Sequence, residues 1–214
     1  MRRTVIVMVK EPRPGQVKTR LGRDIGFGAA AWWFRHQSLA LLRRIRDPRW
    51  QVVLAVTPDV QGLCSRIWPG DLPRMAQGQG DLGQRMRRAM VSIRNGPVCV
   101  IGADIPGIGR AQIARAFAAL GSHQSVFGPA VDGGYWLVGL KQPHRAPGSM
   151  FRDVRWSSES ALADSMRSIP GLSVALVDLL QDVDTAADLK AIKPDMATSL
   201  LPMTGAQSHA RPKP

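Results

Sequence analysis

A basic loop follows the first apolar segment of this 214-residue chain. Residues 5–9 are all apolar, as in a strand covered on both faces, and a proline- and glycine-containing segment follows them. A guanidinium can bind phosphate through two hydrogen bonds, and an ammonium acts as a compact point charge. We therefore predict a nucleotide-binding loop formed by Pro14, Gly15, Lys18 and Arg20. Lys18 is also a candidate catalytic residue, because its charge could stabilise a departing phosphate.

The spacing of this loop differs from that of the P-loop. Gly15 precedes Lys18 by three residues and no glycine lies directly before the lysine, so G-x-x-x-x-G-K-[ST] is not met. We therefore do not expect a P-loop NTPase. A solvated basic turn is the alternative interpretation of the loop. Its position directly after the first strand favours a functional site.

Two aspartates are candidate ligands for a divalent metal. Asp104 follows a four-residue apolar run closely, and a carboxylate at a strand end suits a hard cation such as Mg²⁺. Asp184 could supply a second carboxylate. The alternative for both is a turn or a helix cap, since Thr185 and Asp188 have the spacing of a capping box. We predict Asp104 and Asp184 as ligands of Mg²⁺ or Mn²⁺, and Asp104 as a catalytic residue.

A glycine-rich turn with two aromatic residues is the candidate acceptor site. Adjacent glycines let a ligand approach the backbone closely, and a phenol and an indole follow them. The alternative is a plain hairpin turn, because Asp-Gly and Gly-Gly are strong turn formers. The predicted acceptor-binding residues are Asp132, Gly133, Gly134, Tyr135 and Trp136. Asp132 is also the candidate catalytic base.

A second glycine-rich segment precedes a predicted helix. A helix start of this kind can contact a base or a phosphate, or it can be a flexible cap. The candidate nucleotide-binding residues here are Gln79, Gly80 and Asp81.

The charge balance favours an acidic ligand without identifying it. Lysine and arginine number 29 against 16 acidic residues, a net charge of +13. The arginines are scattered and form no basic arm, so we do not expect nucleic-acid binding. Cys64 and Cys99 have neither zinc-site nor disulfide spacing. The amino-terminal apolar run is too short for a signal peptide or a membrane span, so we expect a cytoplasmic location. The sequence carries no signal for oligomeric state.

Strands and helices alternate along the chain. The predicted strands are 5–9, 51–56, 74–77, 98–101, 125–128, 136–140 and 172–177. The predicted helices cover 29–46, 81–93, a segment around 113–120, a segment from 157 to before 170, and one that begins near 184. This order predicts βαβ units and a mainly parallel, doubly wound sheet that binds ligands beyond the carboxyl ends of its strands. We expect one domain over residues 1–193 and a mobile tail over 194–214.

Five motifs, in this order, resemble a bacterial family of glycosyltransferase-A-like proteins assigned as glycosyltransferases, some of them linked to arsenosugar biosynthesis. The resemblance covers roughly residues 4–192. The motifs are Lys10-Glu11-Pro12 with Pro14-Gly15-x-Val17-Lys18-Thr19-Arg20-Leu21, Gln79-Gly80-Asp81-Leu82-Gly83-x-Arg85-Met86, Gly102-Ala103-Asp104-Ile105-Pro106, Phe127-Gly128-Pro129-Ala130-x-Asp132-Gly133-Gly134-Tyr135-Trp136 and Asp182-Val183-Asp184-Thr185.

The resemblance implies a three-layer α/β/α nucleotide-diphospho-sugar transferase fold, which sugar-nucleotide-synthesising nucleotidyltransferases share. It also implies that the first loop holds nucleotide phosphates, that Asp104 binds the metal and that Asp184 can add a ligand. Many glycosyltransferases of this fold carry Asp-x-Asp, whereas this chain has a single aspartate at Asp104. In this respect it is similar to the nucleotidyltransferases.

Three functions follow as hypotheses. The first is metal-dependent glycosyl transfer from a nucleotide-diphospho-sugar to a small acceptor. The second is nucleotidyl transfer, in which a phosphorylated small molecule attacks a nucleoside triphosphate and releases pyrophosphate. The third is a non-catalytic binder of nucleotides or nucleic acid.

Overall fold

The computed structural model describes residues 2–191, and in this part of the chain seven strands form one sheet. The predicted tail, residues 194–214, lies outside the described residues. The strands are β1 (Arg3–Lys10), β2 (Trp50–Thr57), β3 (Arg74–Ala76), β4 (Val98–Ile101), β5 (Ser125–Pro129), β6 (Tyr135–Leu140) and β7 (Val174–Leu176). The helices are α1 (Thr19–Ile25), α2 (Phe27–Arg44), α3 (Asp59–Cys64), α4 (Leu82–Val91), α5 (Arg110–Ser122), α6 (Ala161–Arg167) and α7 (Ala186–Ala191), and a short 3-10 helix covers Pro143–Arg145.

The sheet is mainly parallel, with the strand order β3-β2-β1-β4-β6-β5-β7. The pairs β1–β2, β1–β4, β2–β3 and β5–β7 are parallel, and β6 runs antiparallel to both β4 and β5. In the centre of the sheet, Val5 of β1 lies in register with Val52 of β2 and Cys99 of β4. The doubly wound, mainly parallel sheet expected from the sequence is thus confirmed.

Two hydrophobic clusters cover the two faces of the sheet. Strand β1 contributes to both, because Val5 and Val7 belong to one cluster and Ile6 to the other. The first cluster includes the large buried side chains of α2 and α5, such as Trp33. The second includes α4 through Met90. A strand apolar on both faces requires cover on both sides, which produces the three layers α/β/α.

Three helix starts differ from the sequence prediction. Helix α1 was not expected, and α2 begins at Phe27, directly after Gly26, rather than at residue 29. Helix α6 begins at Ala161, whereas Glu159, as an acidic residue of a first turn, predicted a start near Ser157. Ser157 has a left-handed backbone with φ 58°, which cannot be continued as a right-handed helix. The predicted domain extent, residues 1–193, stays a prediction.

Gln77 ties the carboxyl ends of two strands together. Its side-chain amide is 5% exposed and donates to the Val9 carbonyl at 3.1 Å and to the Ala55 carbonyl at 2.9 Å. The Gln77 backbone N–H donates to the Val56 carbonyl at 3.1 Å. These bonds position the loops that leave this edge of the sheet.

Asp164 of α6 holds the segment that precedes the helix. Its carboxylate, 3% exposed, accepts from the Arg155 backbone N–H and from the Arg155 guanidinium, and Arg167 pairs with it at 2.8 Å. The hydrogen bonds from Arg155 lower the pKa of Asp164 well below its usual range. The segment they fix carries three non-glycine residues with positive φ, namely Phe151, Asp153 and Ser157. Such backbone persists only where surrounding contacts hold it.

We expect the Asp164→Asn substitution to destabilise the fold in a pH-dependent manner. Because the folded pKa lies below the unfolded value of about 4, the contribution of Asp164 is present above that pH and is lost as the pH falls. The melting temperature of the variant should be several degrees below that of the unmodified protein at pH 7, and the gap should narrow at pH 3. Asp178→Asn, which removes the more exposed partner of Arg115, is the control and should shift the melting temperature less. A difference in melting temperature that does not change with pH would contradict this role of the Asp164 carboxylate.

Candidate functional site

Lys18 lies between two carboxylates from distant parts of the chain. Its Nζ atom is 2.7 Å from Asp104 Oδ2 and 2.7 Å from Asp184 Oδ1, and its side chain is 6% exposed. Arg20 also contacts Asp184, with Nη1 3.1 Å from Oδ2. The structure thus brings together four residues that the sequence predicts as site residues: two cations of the first loop and both candidate metal ligands.

The backbone before α1 directs Lys18 into this position. Lys18 has φ 46° and ψ 51°, a left-handed conformation that costs a non-glycine residue about 1–2 kcal/mol. Its carbonyl accepts the Gly22 N–H at 2.8 Å, and the neighbouring Val17 is buried. The loop is therefore anchored on the core side while the lysine side chain reaches the carboxylates.

The two carboxylates keep Lys18 charged. Burial by itself would lower the pKa of Lys18, but the charges and hydrogen bonds of Asp104 and Asp184 outweigh it and raise the pKa above its ordinary value. An ammonium and two carboxylates carry a net negative charge, which Arg20 offsets from the exposed side.

The cap before α7 is formed by Asp188 rather than by Asp184. Asp188 Oδ2 accepts from the backbone N–H groups of Asp184 and Thr185 and from the Thr185 hydroxyl, at 2.8–3.1 Å. The spacing of Thr185 and Asp188 indicated this motif. Because Asp188 takes these bonds, the Asp184 carboxylate is directed at Lys18 and Arg20.

Asp182 is a further carboxylate of the site that the sequence analysis did not select. Burial, followed by the charge of Asp184, raises its pKa to about 6, and Asp132 and Asp104 act in the same direction against the opposing charge of Lys18. The sequence feature that could have identified Asp182 is its position two residues before Asp184, because residues at this spacing in an extended segment lie on the same side.

Two chambers of one cleft meet at these carboxylates. The first, the apolar chamber, has a volume of about 330 Å³. Its apolar lining includes Met8, Leu82, Met86, Tyr135 and Trp156. The second, the basic chamber, has a volume of about 540 Å³ and is lined by the cations Lys10, Lys18 and Arg20 and also by Glu159. Both chambers are lined by Asp104, Asp132, Ser157, Ser158 and Asp184, which form their common wall.

Asp132 lies in the common wall and is held by its own turn. Its Oδ1 atom accepts the Gly134 N–H at 2.9 Å, and the Ala130 N–H donates to the Gly134 carbonyl at 3.0 Å. Tyr135 lines the apolar chamber, and its hydroxyl oxygen accepts from Ser165 at 3.1 Å. Burial raises the pKa of Tyr135. Asp132, Gly134 and Tyr135 therefore reach the cleft, as the acceptor prediction requires.

Trp136 also lines the apolar chamber, whereas Gly133 does not, and both residues have structural contacts. Gly133 has φ 83°, and a Cβ atom there would lie 2.5 Å from the Glu159 Cα and closer still to the Glu159 carbonyl oxygen. The Trp136 side chain is 1% exposed, and its indole N–H donates to the Asp178 carbonyl at 2.8 Å. An acceptor-binding role for these two residues stays a prediction.

The remaining predicted nucleotide-binding residues lie outside the linings of the two chambers. Pro14 and Gly15 are exposed in the loop before Lys18. Asp81 caps α4 in a capping box with Gln84, and the carbonyls of Gln79 and Gly80 accept from arginine side chains of the same helix. Their contacts with a nucleotide stay a prediction.

Other residues of the cleft carry no local sequence signal. Met8, Leu82 and Met86 lie in a strand and a helix whose apolar patterns indicated core positions, and Trp156 and Ser157 belong to a segment predicted partly as helix.

Within residues 2–191, no three His, Cys, Asp or Glu residues are grouped so that they could hold a metal ion. No helix in this part of the chain is long and apolar enough to cross a membrane.

Comparisons with known proteins support the fold. Residues 40–158 match the model of a family described as "Uncharacterized protein conserved in bacteria (DUF2064)". Among curated proteins, no sequence matches the chain. A solved structure from Desulfovibrio desulfuricans G20, assigned as a nucleotide-diphospho-sugar transferase, is 28% identical, with a TM-score of 0.78, and the match covers 91% of this chain and 88% of the other.

Two further solved structures share the fold at lower identity. Rv0371c from Mycobacterium tuberculosis H37Rv, in complex with manganese, is 15% identical over 89% of this chain and 97% of its own, with a TM-score of 0.53. A CMP:2-keto-3-deoxy-manno-octonic acid synthetase complexed with CTP is 10% identical over 94% of this chain and 100% of its own, with a TM-score of 0.57. Together with the 28% identical Desulfovibrio structure, they confirm the predicted nucleotide-diphospho-sugar transferase fold, and that structure supports the predicted transferase class.

We expect Gly133→Ala to disrupt the turn of the site, with Gly171→Ala as the matched control. The two glycines have nearly the same φ, 83° and 82°, but a Cβ atom at Gly171 meets nothing within 4 Å. The control should therefore lose only about 1 kcal/mol of unfolding free energy to backbone strain. Gly133→Ala adds a clash with backbone and should lose about 3 kcal/mol or more in denaturant unfolding. Equal losses of unfolding free energy in the two variants would show that the contact with Glu159 does not contribute to the effect of Gly133→Ala.

Proposed function

This chain belongs to the DUF2064 family of bacterial proteins, and we propose that it transfers a glycosyl group from a nucleotide-diphospho-sugar to a small acceptor with the help of a divalent metal. The observation that carries the proposal is Lys18, held between Asp104 and Asp184 where a cation-lined chamber meets an apolar one. An anionic donor on the side of the cation-lined chamber and a small acceptor on the side of the apolar chamber fit this division.

The basic chamber would hold the diphosphate of the donor. Lys10, Lys18 and Arg20 line it, and the net charge of +13 favours the approach of an anion. Arg20 is exposed and can form paired hydrogen bonds to phosphate oxygens, while Lys18 is buried as a point charge.

Asp104 and Asp184 fit a divalent cation such as Mg²⁺ or Mn²⁺. Their oxygens converge on one positive charge, that of Lys18, so their arrangement suits a cation. Two carboxylates are enough for Mg²⁺, which completes its coordination with substrate phosphate and water. When bound, such an ion supplies charge neutralisation at the diphosphate.

The residues of the common wall would then act on the two substrates. The acceptor hydroxyl oxygen forms a bond to the anomeric carbon of the sugar, and the bond from that carbon to the phosphate oxygen breaks, which releases the nucleoside diphosphate. Asp132, oriented by the Gly134 N–H, takes the proton of the acceptor hydroxyl. Lys18 and Arg20 stabilise the negative charge of the departing diphosphate.

Nucleotidyl transfer is the second candidate, and the single aspartate at Asp104 favours it. In that reaction a phosphorylated acceptor attacks the α-phosphate of a nucleoside triphosphate and pyrophosphate leaves. One of the solved structures that share the fold was determined with CTP. The same cations and carboxylates would serve both reactions.

We further propose a cytoplasmic location and a single domain over residues 1–193. The two cysteines have no disulfide spacing, and all seven strands of the described residues belong to one sheet.

Asp104→Asn should abolish metal-dependent nucleotide binding. The amide cannot supply the charge that a divalent cation requires, so affinity for a nucleoside diphosphate with Mn²⁺ should fall by more than about tenfold. Thermal shift with UDP and GDP, each with and without MnCl₂, measures the effect. Asp178→Asn is the matched control, because it also removes a carboxylate paired with a cation but lies outside the linings of both chambers. Unchanged metal-dependent binding in Asp104→Asn would refute the site assignment.

The two reactions differ in the leaving group. We expect incubation of the protein and Mn²⁺ with UDP- or GDP-sugars and mixed small alcohols to release the free nucleoside diphosphate. We expect nucleoside triphosphates with phosphorylated acceptors to release no pyrophosphate. Pyrophosphate release from the triphosphates, without diphosphate release from the sugars, would replace the first function with the second.

A further inference from the structure

We infer that the apolar chamber receives an acceptor that carries no anionic group: a small alcohol with an apolar body, uncharged or cationic. The inference rests on the proposed function, because it takes this chamber as the acceptor side of the cleft. It names a class of substrate and separates the two candidate reactions, since the second requires a phosphorylated acceptor.

The charge of the chamber lining is the first step. Among the described residues, the lining includes four carboxylates and no lysine, arginine or histidine. The carboxylates are Asp104, Asp132, Asp182 and Asp184. Lys18 neutralises part of the charge of two of them from the side of the basic chamber. Lys18 and the proposed divalent cation offset the charges of Asp104 and Asp184, but Asp132 and Asp182 pair with no cation among the described residues. A phosphate or carboxylate group placed beside these two aspartates would meet like charges, which is the repulsion that excludes wrong ligands from binding sites.

The arginines near the apolar chamber are engaged elsewhere. Arg155, the neighbour of Trp156, directs its guanidinium to Asp164 with bonds of 2.8 and 3.1 Å. Arg85, one turn along α4 from Leu82, donates to the Gly80 carbonyl at 2.8 Å. Neither can turn toward the chamber without giving up these hydrogen bonds. Among residues 2–191, the cations of the cleft therefore line the basic chamber and not the apolar one.

The body of the acceptor follows from the other lining residues. Tyr135 and Trp156 contribute aromatic surface, and their ring centroids are 6.4 Å apart. Met8, Met86 and Leu82 add flexible apolar surface. Aromatic faces attract cations, which favours an amine-bearing molecule, and they pack against apolar groups, which favours an uncharged one. The volume of about 330 Å³ lies at the lower end of the range for ligand pockets and restricts the acceptor to a small molecule.

Three probes with the same ring and hydroxyl group but different charge test this inference. They are 4-hydroxybenzylamine, which is cationic, 4-hydroxybenzyl alcohol, which is neutral, and 4-hydroxybenzoate, which is anionic. Binding to the full chain is measured by calorimetry, with and without Mn²⁺ and UDP or GDP. We expect the amine and the alcohol to bind at least about tenfold more tightly than the benzoate.

A gain-of-charge variant provides the internal control. Leu82 lines the chamber yet is 46% exposed at the first position of α4, so Leu82→Arg places a cation at the chamber without disturbing the core. We expect this variant to bind benzoate several-fold more tightly and the amine more weakly than the unmodified protein does, with little change in melting temperature. Leu82→Gln, which is polar but uncharged, should not reverse the order of the probes.

The outcomes distinguish this inference from the function on which it rests. Benzoate binding as tight as that of the alcohol, or no binding of any of the three probes, would overturn the inference about the acceptor. Loss of the nucleotide response with Mn²⁺, together with the expected order of the probes, would overturn the proposed reaction and leave the charge selectivity of the chamber in place.

Discussion

The site depends on one buried ammonium group shared by two carboxylates. Lys18 follows β1, Asp104 follows β4 and Asp184 precedes α7, so this contact joins the beginning, the middle and the end of the described chain. Desolvation of these charges is expensive, and their mutual attraction repays it only in good geometry. Neighbouring bonds therefore fix the geometry: Asp24 of α1 accepts the Ala186 N–H at 3.0 Å and holds α1 and α7 together.

This contact also divides the cleft by charge. In the described part of the chain, the three cations of the cleft lie on one side of the common wall, together with Glu159, and most of the aromatic and aliphatic lining lies on the other. The wall itself is anionic and is offset locally by Lys18 and Arg20. A donor in the basic chamber and an acceptor in the apolar chamber would meet at this wall, which includes Asp132. The positions of these groups, rather than their number, make the cleft selective.

Much of the fold followed from local patterns. The apolar runs of β1, β2 and β4 and the periodicity of α4 and α5 identified these elements, because a buried face leaves a repeat in the sequence. The short α1 was missed since the residues before it looked like a loop continuing into α2. The start of α6 was placed too early because the left-handed backbone at Ser157 leaves no apolar signature. The strand-end rule correctly pointed to Lys18, Arg20 and Asp104 as neighbours. Asp184 was predicted separately, as a possible second metal ligand.

Residue types and spacing thus identified the chemistry available to this protein: phosphate-binding cations, two carboxylates suited to a metal and a glycine-rich turn beside aromatic residues. Long-range packing decided which of these groups meet and which serve the scaffold. Asp188 accepts the capping hydrogen bonds, which leaves the Asp184 carboxylate directed at Lys18. The backbone of Glu159 fills the space beside Gly133. Met8, Met86 and Trp156 line the apolar chamber. Contacts such as that of Lys18 with Asp184, 166 positions away, leave no periodic signal in one sequence, so the meeting of these groups required the folded chain.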